Sequence, residues 1–142
     1  VRFIMFKVHS LLFWARVSIA GFLVSISCVN AQVQREIVFI VDGSGSISGT
    51  DWILQKLGIT TALESTVHVP RDGSIATMIV QFSDTTRLEL GYTVITSDVD
   101  VATVISTVEA MSQLGGSTGP QLGIDEAVAQ LELATQSANG GT

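Results

Sequence analysis

Asp42, Ser44 and Ser46 occupy alternate positions of Asp42-Gly43-Ser44-Gly45-Ser46, directly after the apolar run Ile37-Val38-Phe39-Ile40-Val41. In a curling loop this spacing presents one carboxylate and two hydroxyls on the same side of the backbone, and Gly43 and Gly45 leave the chain free to curl that way. Carboxylate, hydroxyl and water oxygens are what hard cations take as ligands. Mg²⁺ asks for about six of them in an octahedron at ~2.0–2.1 Å, some from water. One anion and two neutral ligands leave such an ion short of negative charge, so an acidic side chain from a partner can complete its shell.

Other chemistries compete for the same residues. Gly43-x-Gly45-x-x-x-Gly49 lies close to a dinucleotide-binding fingerprint, in which backbone N–H groups at a helix N-terminus hold a pyrophosphate. Asp42 argues against it, because a carboxylate at the strand end repels phosphate. The next apolar run closes in Gln81-Phe82-Ser83, with no acid to hold a ribose. Gly115-Gly116-Ser117-Thr118-Gly119 formally matches the Gly-x-Ser-x-Gly of serine hydrolases, but a nucleophile elbow needs a strand before it and a histidine base. Here the preceding residues have helical spacing and no histidine follows. No Gly-Lys-Ser/Thr of a P-loop occurs. The chain is therefore expected to be a non-enzymatic binder that takes no nucleotide. Plainer readings remain for single residues: Thr118 as a helix cap ahead of Pro120, His68 as a solvated turn residue, Asp84 as a turn former, and Trp52 as packing near the loop or a rim contact.

The elements that must position Asp42, Ser44 and Ser46 follow from the apolar pattern. Ile37–Val41 is short, β-branched and apolar on both faces, the pattern of a strand buried in a parallel sheet. The small-residue loop Gly43–Gly49 leads to a helix expected from about Asp51 to Ser65, with Thr50 as its N-cap and Ile53, Leu57 and Leu63 facing the core. After the turn Val69–Gly73, Ile75–Phe82 reads as a second buried strand. Ser83–Thr86 turns the chain into Leu88-Glu89-Leu90, an alternating edge strand that closes a hairpin. Asp98 or Asp100 can cap a second helix carrying Val101, Val104, Ile105, Val108 and Met111. Leu114–Gly119 ends that helix. Pro120 suits the first position of a third, with Ile124, Ala127, Val128 and Leu131 on one face. The order predicts an α/β fold: a Rossmann-like open sheet, mostly parallel with one antiparallel edge strand, flanked by helices and incomplete in this chain. In such sheets the functional crevice lies at the carboxyl ends of the strands, where Asp42, Ser44 and Ser46 fall.

Composition bounds the rest. With 142 residues, 46% hydrophobic, 14% charged and only two prolines, the chain suits one folded domain. A net charge of −6 argues against a nucleic-acid partner. The single cysteine, Cys28, excludes an intramolecular disulfide and a zinc site on paired cysteines. Arg2, Lys7 and Arg16 precede the apolar stretch Val17–Val29, and no acidic residue occurs before Glu36. This reads as a signal peptide over residues 1–31 with cleavage after Ala31. An uncleaved N-terminal membrane anchor is the alternative, although the apolar core is shorter than the ~20 residues a span needs. Residues 32–142 then form the mature part, with four basic and thirteen acidic side chains, a net of −9.

Three blocks together carry a resemblance: Ile37–Ile47, Val80-Gln81-Phe82-Ser83-Asp84, and Leu114-Gly115-Gly116-Ser117-Thr118 with Gly123 and Ala127 beyond it. From about Glu36 onward the chain resembles the von Willebrand factor A-type (VWA) domain with its metal-ion-dependent adhesion site. The resemblance implies that Asp42, Ser44 and Ser46 form the first metal loop and that Thr118 supplies a hydroxyl from the second. It also implies a third loop, with an aspartate after a later strand. That part is absent up to Thr142, so residues 32–142 are expected to be the N-terminal part of a C-terminally truncated domain. The implied function is a secreted or cell-surface protein-binding module, in which Mg²⁺, or alternatively Mn²⁺ or Ca²⁺, bridges to an acidic residue of a protein ligand. The alternatives are a subunit of an ATPase-linked, chelatase-like complex and a serine hydrolase acting through Ser117.

Overall fold

In the computed structural model, residues 32–138 are described; the expected signal segment, residues 1–31, lies outside them. Strand β1 spans Arg35–Asp42, helix α1 Gly49–Glu64, β2 Ile75–Phe82, β3 Thr86–Ile95, α2 Asp98–Ala110 and α3 Pro120–Ala138. The sheet order is β1-β2-β3. β1 runs parallel to β2 in an unbroken register from Arg35↔Ile75 to Asp42↔Phe82. β3 returns antiparallel as the hairpin partner of β2, with register shifts around Ile79. One parallel and one antiparallel pairing, with helices on both faces, make an open α/β sheet of the expected type.

Strand alternation sorts the side chains onto two faces. Ile37, Phe39 and Val41 of β1 and Ile75 and Ile79 of β2 turn toward α1 and α2. There they meet Trp52, Ile59 and Leu63 of α1, Val101, Val104 and Val108 of α2, and Met111. Val38, Met78 and Val80 turn to the opposite face, against Ala127 and Leu131 of α3. β2 is buried along its whole length. β1 has a neighbour on one side only among the described residues, and its Ile40 is 39% exposed.

Several local expectations need correction. The N-cap of α1 is Ser48, not Thr50: its hydroxyl accepts from the Asp51 N–H, which satisfies one free donor of the first turn, and donates to the Asp51 carboxylate. In α1 the buried residues are Trp52, Ile59 and Leu63, whereas Ile53 is 63% and Leu57 57% exposed. Apolar residues occur nearly all round this helix, so hydrophobicity alone leaves its rotation open. Likewise α3 buries Gly123 and Ala127 and leaves Ile124 and Val128 exposed. The close approach is allowed because a Cβ on Gly123 would meet Phe82 and Ile40 side-chain atoms at 2.8–2.9 Å. Ser97, not Asp98 or Asp100, is the N-cap of α2. Asp100 instead accepts from the Thr96 N–H and from the Thr96 and Ser97 hydroxyls, bonds that hold its carboxyl below the usual range. β3 is ten residues long, well beyond Leu88–Leu90. Its Tyr92 hydroxyl donates to Glu36 on β1, and burial followed by this acidic neighbour pushes the phenol up to about 12. Among the described residues no helix is long and apolar enough to cross a membrane.

Candidate functional site

β1 ends at Asp42, and the chain then leaves the sheet between β2 and the loop that joins α2 to α3. Close contacts crowd both glycines of this loop, Gly43 far more than Gly45. A Cβ on Gly43 would lie 2.0 Å from the Gln81 side-chain oxygen, and one on Gly45 3.2 Å from the Gly116 carbonyl. The backbone is tied at each step: Gly43 N–H to Phe82 C=O at 2.8 Å, Gly115 N–H to Gly43 C=O at 2.8 Å, and Gly45 N–H to Gly116 C=O at 2.9 Å. Gly119 N–H reaches Ser83 C=O at 2.9 Å. The two loops and the end of β2 are thus joined through main-chain groups, which cannot change rotamer.

These ties bring the four sequence-selected residues together. The Asp42 carboxylate accepts the Ser44 N–H at 2.8 Å, which fixes it over the loop's own backbone. The Ser44 hydroxyl is fully buried. It lies 3.1 Å from the Ser46 hydroxyl and accepts from the Thr118 hydroxyl at 3.0 Å. Ser46 and Thr118 are exposed, with their hydroxyls 3.5 Å apart. Three hydroxyl oxygens from segments more than seventy residues apart therefore form a small triangle at the carboxyl end of β1, beside one carboxylate. The donor set fits a hard cation that retains water: all oxygen, one negative charge, and two of its hydroxyls open to solvent. Among the described residues no three His, Cys, Asp or Glu side chains converge.

Glutamines that the sequence pattern did not single out hold this arrangement. Gln113 donates from its side-chain nitrogen to Ser44 C=O at 2.7 Å and Ile47 C=O at 3.0 Å. Buried Gln81 accepts from Leu114 N–H at 2.8 Å and donates to Ser112 C=O at 3.1 Å and to Glu89. Gln55 of α1 donates to Asp42 C=O at 3.2 Å. Each bonds to a main-chain group or side chain distant in sequence, so no spacing rule could have found it. Of the other residues considered, His68 is exposed in the turn before β2, at the amino end of that strand, and Trp52 is buried under α1 with Lys56 over its ring. Asp84 is exposed beside Gly116 in the tight turn. Ser117 follows a loop after α2, not a strand.

An open α/β sheet with a carboxylate and hydroxyl cluster at the carboxyl end of its first strand defines a class of ligand-binding fold. The sequence profile of the von Willebrand factor type A domain matches residues 36–140, and the chain belongs to that family. Among curated proteins none matches. Solved structures with the same fold include proximal thread matrix protein 1 from the mussel byssus, 21% identical with a TM-score of 0.59, covering 79% of this chain and 28% of that one. A mutant of the PilB minor pilin of Streptococcus sanguinis is 20% identical with a TM-score of 0.54, over 74% of this chain and 28% of that one. Three N-terminal domains of the type V pili tip protein Mfa5 of Porphyromonas gingivalis give 16% and 0.54, over 71% and 18%. The chain thus corresponds to less than a third of each of these chains, and at these identities the likeness is one of fold.

Proposed function

We propose that this VWA domain is a divalent-cation-dependent adhesion module, non-enzymatic and exported, that binds a protein ligand through an acidic side chain. The observation that carries the reading is the triangle of Ser44, Ser46 and Thr118 hydroxyls, 3.0–3.5 Å apart and drawn from two loops. Asp42 supplies the charge beside it. In this reading the three hydroxyls and Asp42 hold a cation, Mg²⁺ in the first place and Mn²⁺ or Ca²⁺ as substitutes, which supplies electrophilic attraction for a carboxylate. One protein negative charge leaves the ion electron-poor, and that is what makes an external acid a favourable ligand. Ser46 and Thr118, being exposed, leave the ligand side open.

Export is supported by the basic and apolar N-terminal segment, and by the company of the fold: a byssal matrix protein, a minor pilin and a pilus tip protein. The acidic surface agrees with partners that are not themselves anionic polymers. Calorimetric titration of the protein with Mg²⁺, Mn²⁺ and Ca²⁺ tests the reading. Heat of binding is expected for the wild type and none for Asp42→Ala; identical traces for the two proteins reject the site.

A further inference from the structure

The loop that carries Ser44 and Ser46 is a turn, closed by the Ile47 N–H donating to the Ser44 C=O at 3.1 Å. Ser46 sits inside this turn, so the direction of its hydroxyl follows the turn's geometry. The side-chain nitrogen of Gln113 bonds both carbonyls that frame it, Ser44 at 2.7 Å and Ile47 at 3.0 Å. Gln113 is itself gripped on both sides: Gln81 bonds the Ser112 C=O and the Leu114 N–H. Behind Gln81 stands Glu89, paired with Arg87 at 2.6 Å, and the Arg87 guanidinium reaches the same Ser112 carbonyl at 2.6 Å. A chain of bonds therefore runs from β3 through β2 to the residue that braces the serine turn. Thr118 follows five residues later on the same segment.

We infer that Gln113 is a positioning residue for the cation ligands. By fixing the Ser44–Ile47 turn against the segment bearing Thr118, it sets the distance between the Ser46 and Thr118 hydroxyls. This rests on the cation reading given above. To the main-chain ties that already join the two loops it adds one half-buried amide, which seats the serine turn itself against the Thr118 segment. Residues that orient metal ligands without touching the ion typically change affinity by ~10–100-fold when removed.

The test uses Gln113→Met, which keeps length and volume but has no donor, and Gln113→Asn, which keeps the amide but falls short of spanning both carbonyls. Three quantities are read: melting temperature, metal-free hydrogen exchange of the Gly45 and Ile47 amides, and Mn²⁺ affinity by calorimetry. Expected are a melting temperature close to wild type, about tenfold faster exchange at these two amides, and a Mn²⁺ dissociation constant raised about tenfold. Wild-type exchange and affinity in both variants would overturn the inference while leaving the cation site standing. A uniform loss of protection across β1 and β2 would overturn it too, because Gln113 would then be a general fold support. Absence of Mn²⁺ binding in the wild type itself would reject the cation reading, and this inference with it.

Discussion

The tripeptide Asp-Gly-Ser occurs twice in this chain, at Asp42–Ser44 and at Asp72–Ser74, and both copies share one local hydrogen bond. In each the serine N–H donates to the aspartate two residues before, at 2.8 Å and 2.9 Å. What differs is the direction of the hydroxyl. Ser74 folds its hydroxyl back onto Asp72 at 2.5 Å, so the turn is complete in itself. Ser44 turns its hydroxyl away, to Ser46 and Thr118. The glycines differ as well: Gly73 takes φ +82°, a left-handed conformation, whereas Gly43 is needed because Gln81 leaves no room for a Cβ. The first copy leaves the carboxyl end of β1 and faces a second loop through its hydroxyl; the other enters the amino end of β2 with Asp72 exposed, and meets its neighbours, Ile95, Gln34 and Arg35, through main-chain groups alone. The local motif makes the bond from serine N–H to aspartate, and the end of the sheet on which it sits decides the glycine's conformation and whether the serine hydroxyl closes back or opens toward a second loop.

The largest separation between the copies is expected at the glycines. Gly43→Ala drives a methyl group into buried Gln81, which also holds Leu114 and Ser112, and overpacking of this kind costs about 3 kcal/mol. Gly73→Ala imposes a left-handed alanine and costs about 1 kcal/mol. Urea unfolding of the two variants measures both. Equal losses would mean that the two turns differ less than their packing implies.

A smaller contrast is expected at the serines. Ser44→Ala removes the buried centre of the hydroxyl triangle and should destabilise by about 1–2 kcal/mol. Ser74→Ala removes a hydroxyl near the surface and should stay within about 0.5 kcal/mol. Should Ser74→Ala prove the more harmful, the closed turn would matter more to folding than the open one.

How far these features could be read beforehand depends on the range of the interaction behind each. β2 runs from Ile75 to Phe82 as its unbroken apolar run predicts, because burial on both faces is written in consecutive residues. Pro120 opens α3, since a fixed φ and a missing N–H suit a first turn. Asp42, Ser44 and Ser46 stand out by spacing, and Thr118 by resemblance. The rotation of α1 was not legible: Trp52, Ile53, Leu54 and Leu57 surround the axis, and only packing against α2 and the sheet selects Trp52, Ile59 and Leu63. Nor were the braces legible. Gln81 and Gln113 act on main-chain groups, which carry no residue identity and so leave no pattern.

The finest contrast is one of pH. The Ser74 hydroxyl, and after it the Ser74 N–H, hold the Asp72 carboxyl below the usual carboxylate range. A carboxyl depressed in the folded state contributes stability that is fully present above its unfolded value, and that is lost as pH falls through the lower folded value. Asp72→Asn should therefore matter little once the wild-type carboxyl is protonated and most near neutrality, so the gap between the two melting temperatures should close as pH falls below about 4. Ser74→Ala should narrow that acid-dependent gap by removing the larger of the two bonds. The outcome that would sink the argument is a gap independent of pH, for the Asp72 turn would then be held by its geometry alone and not by the charge on its carboxylate.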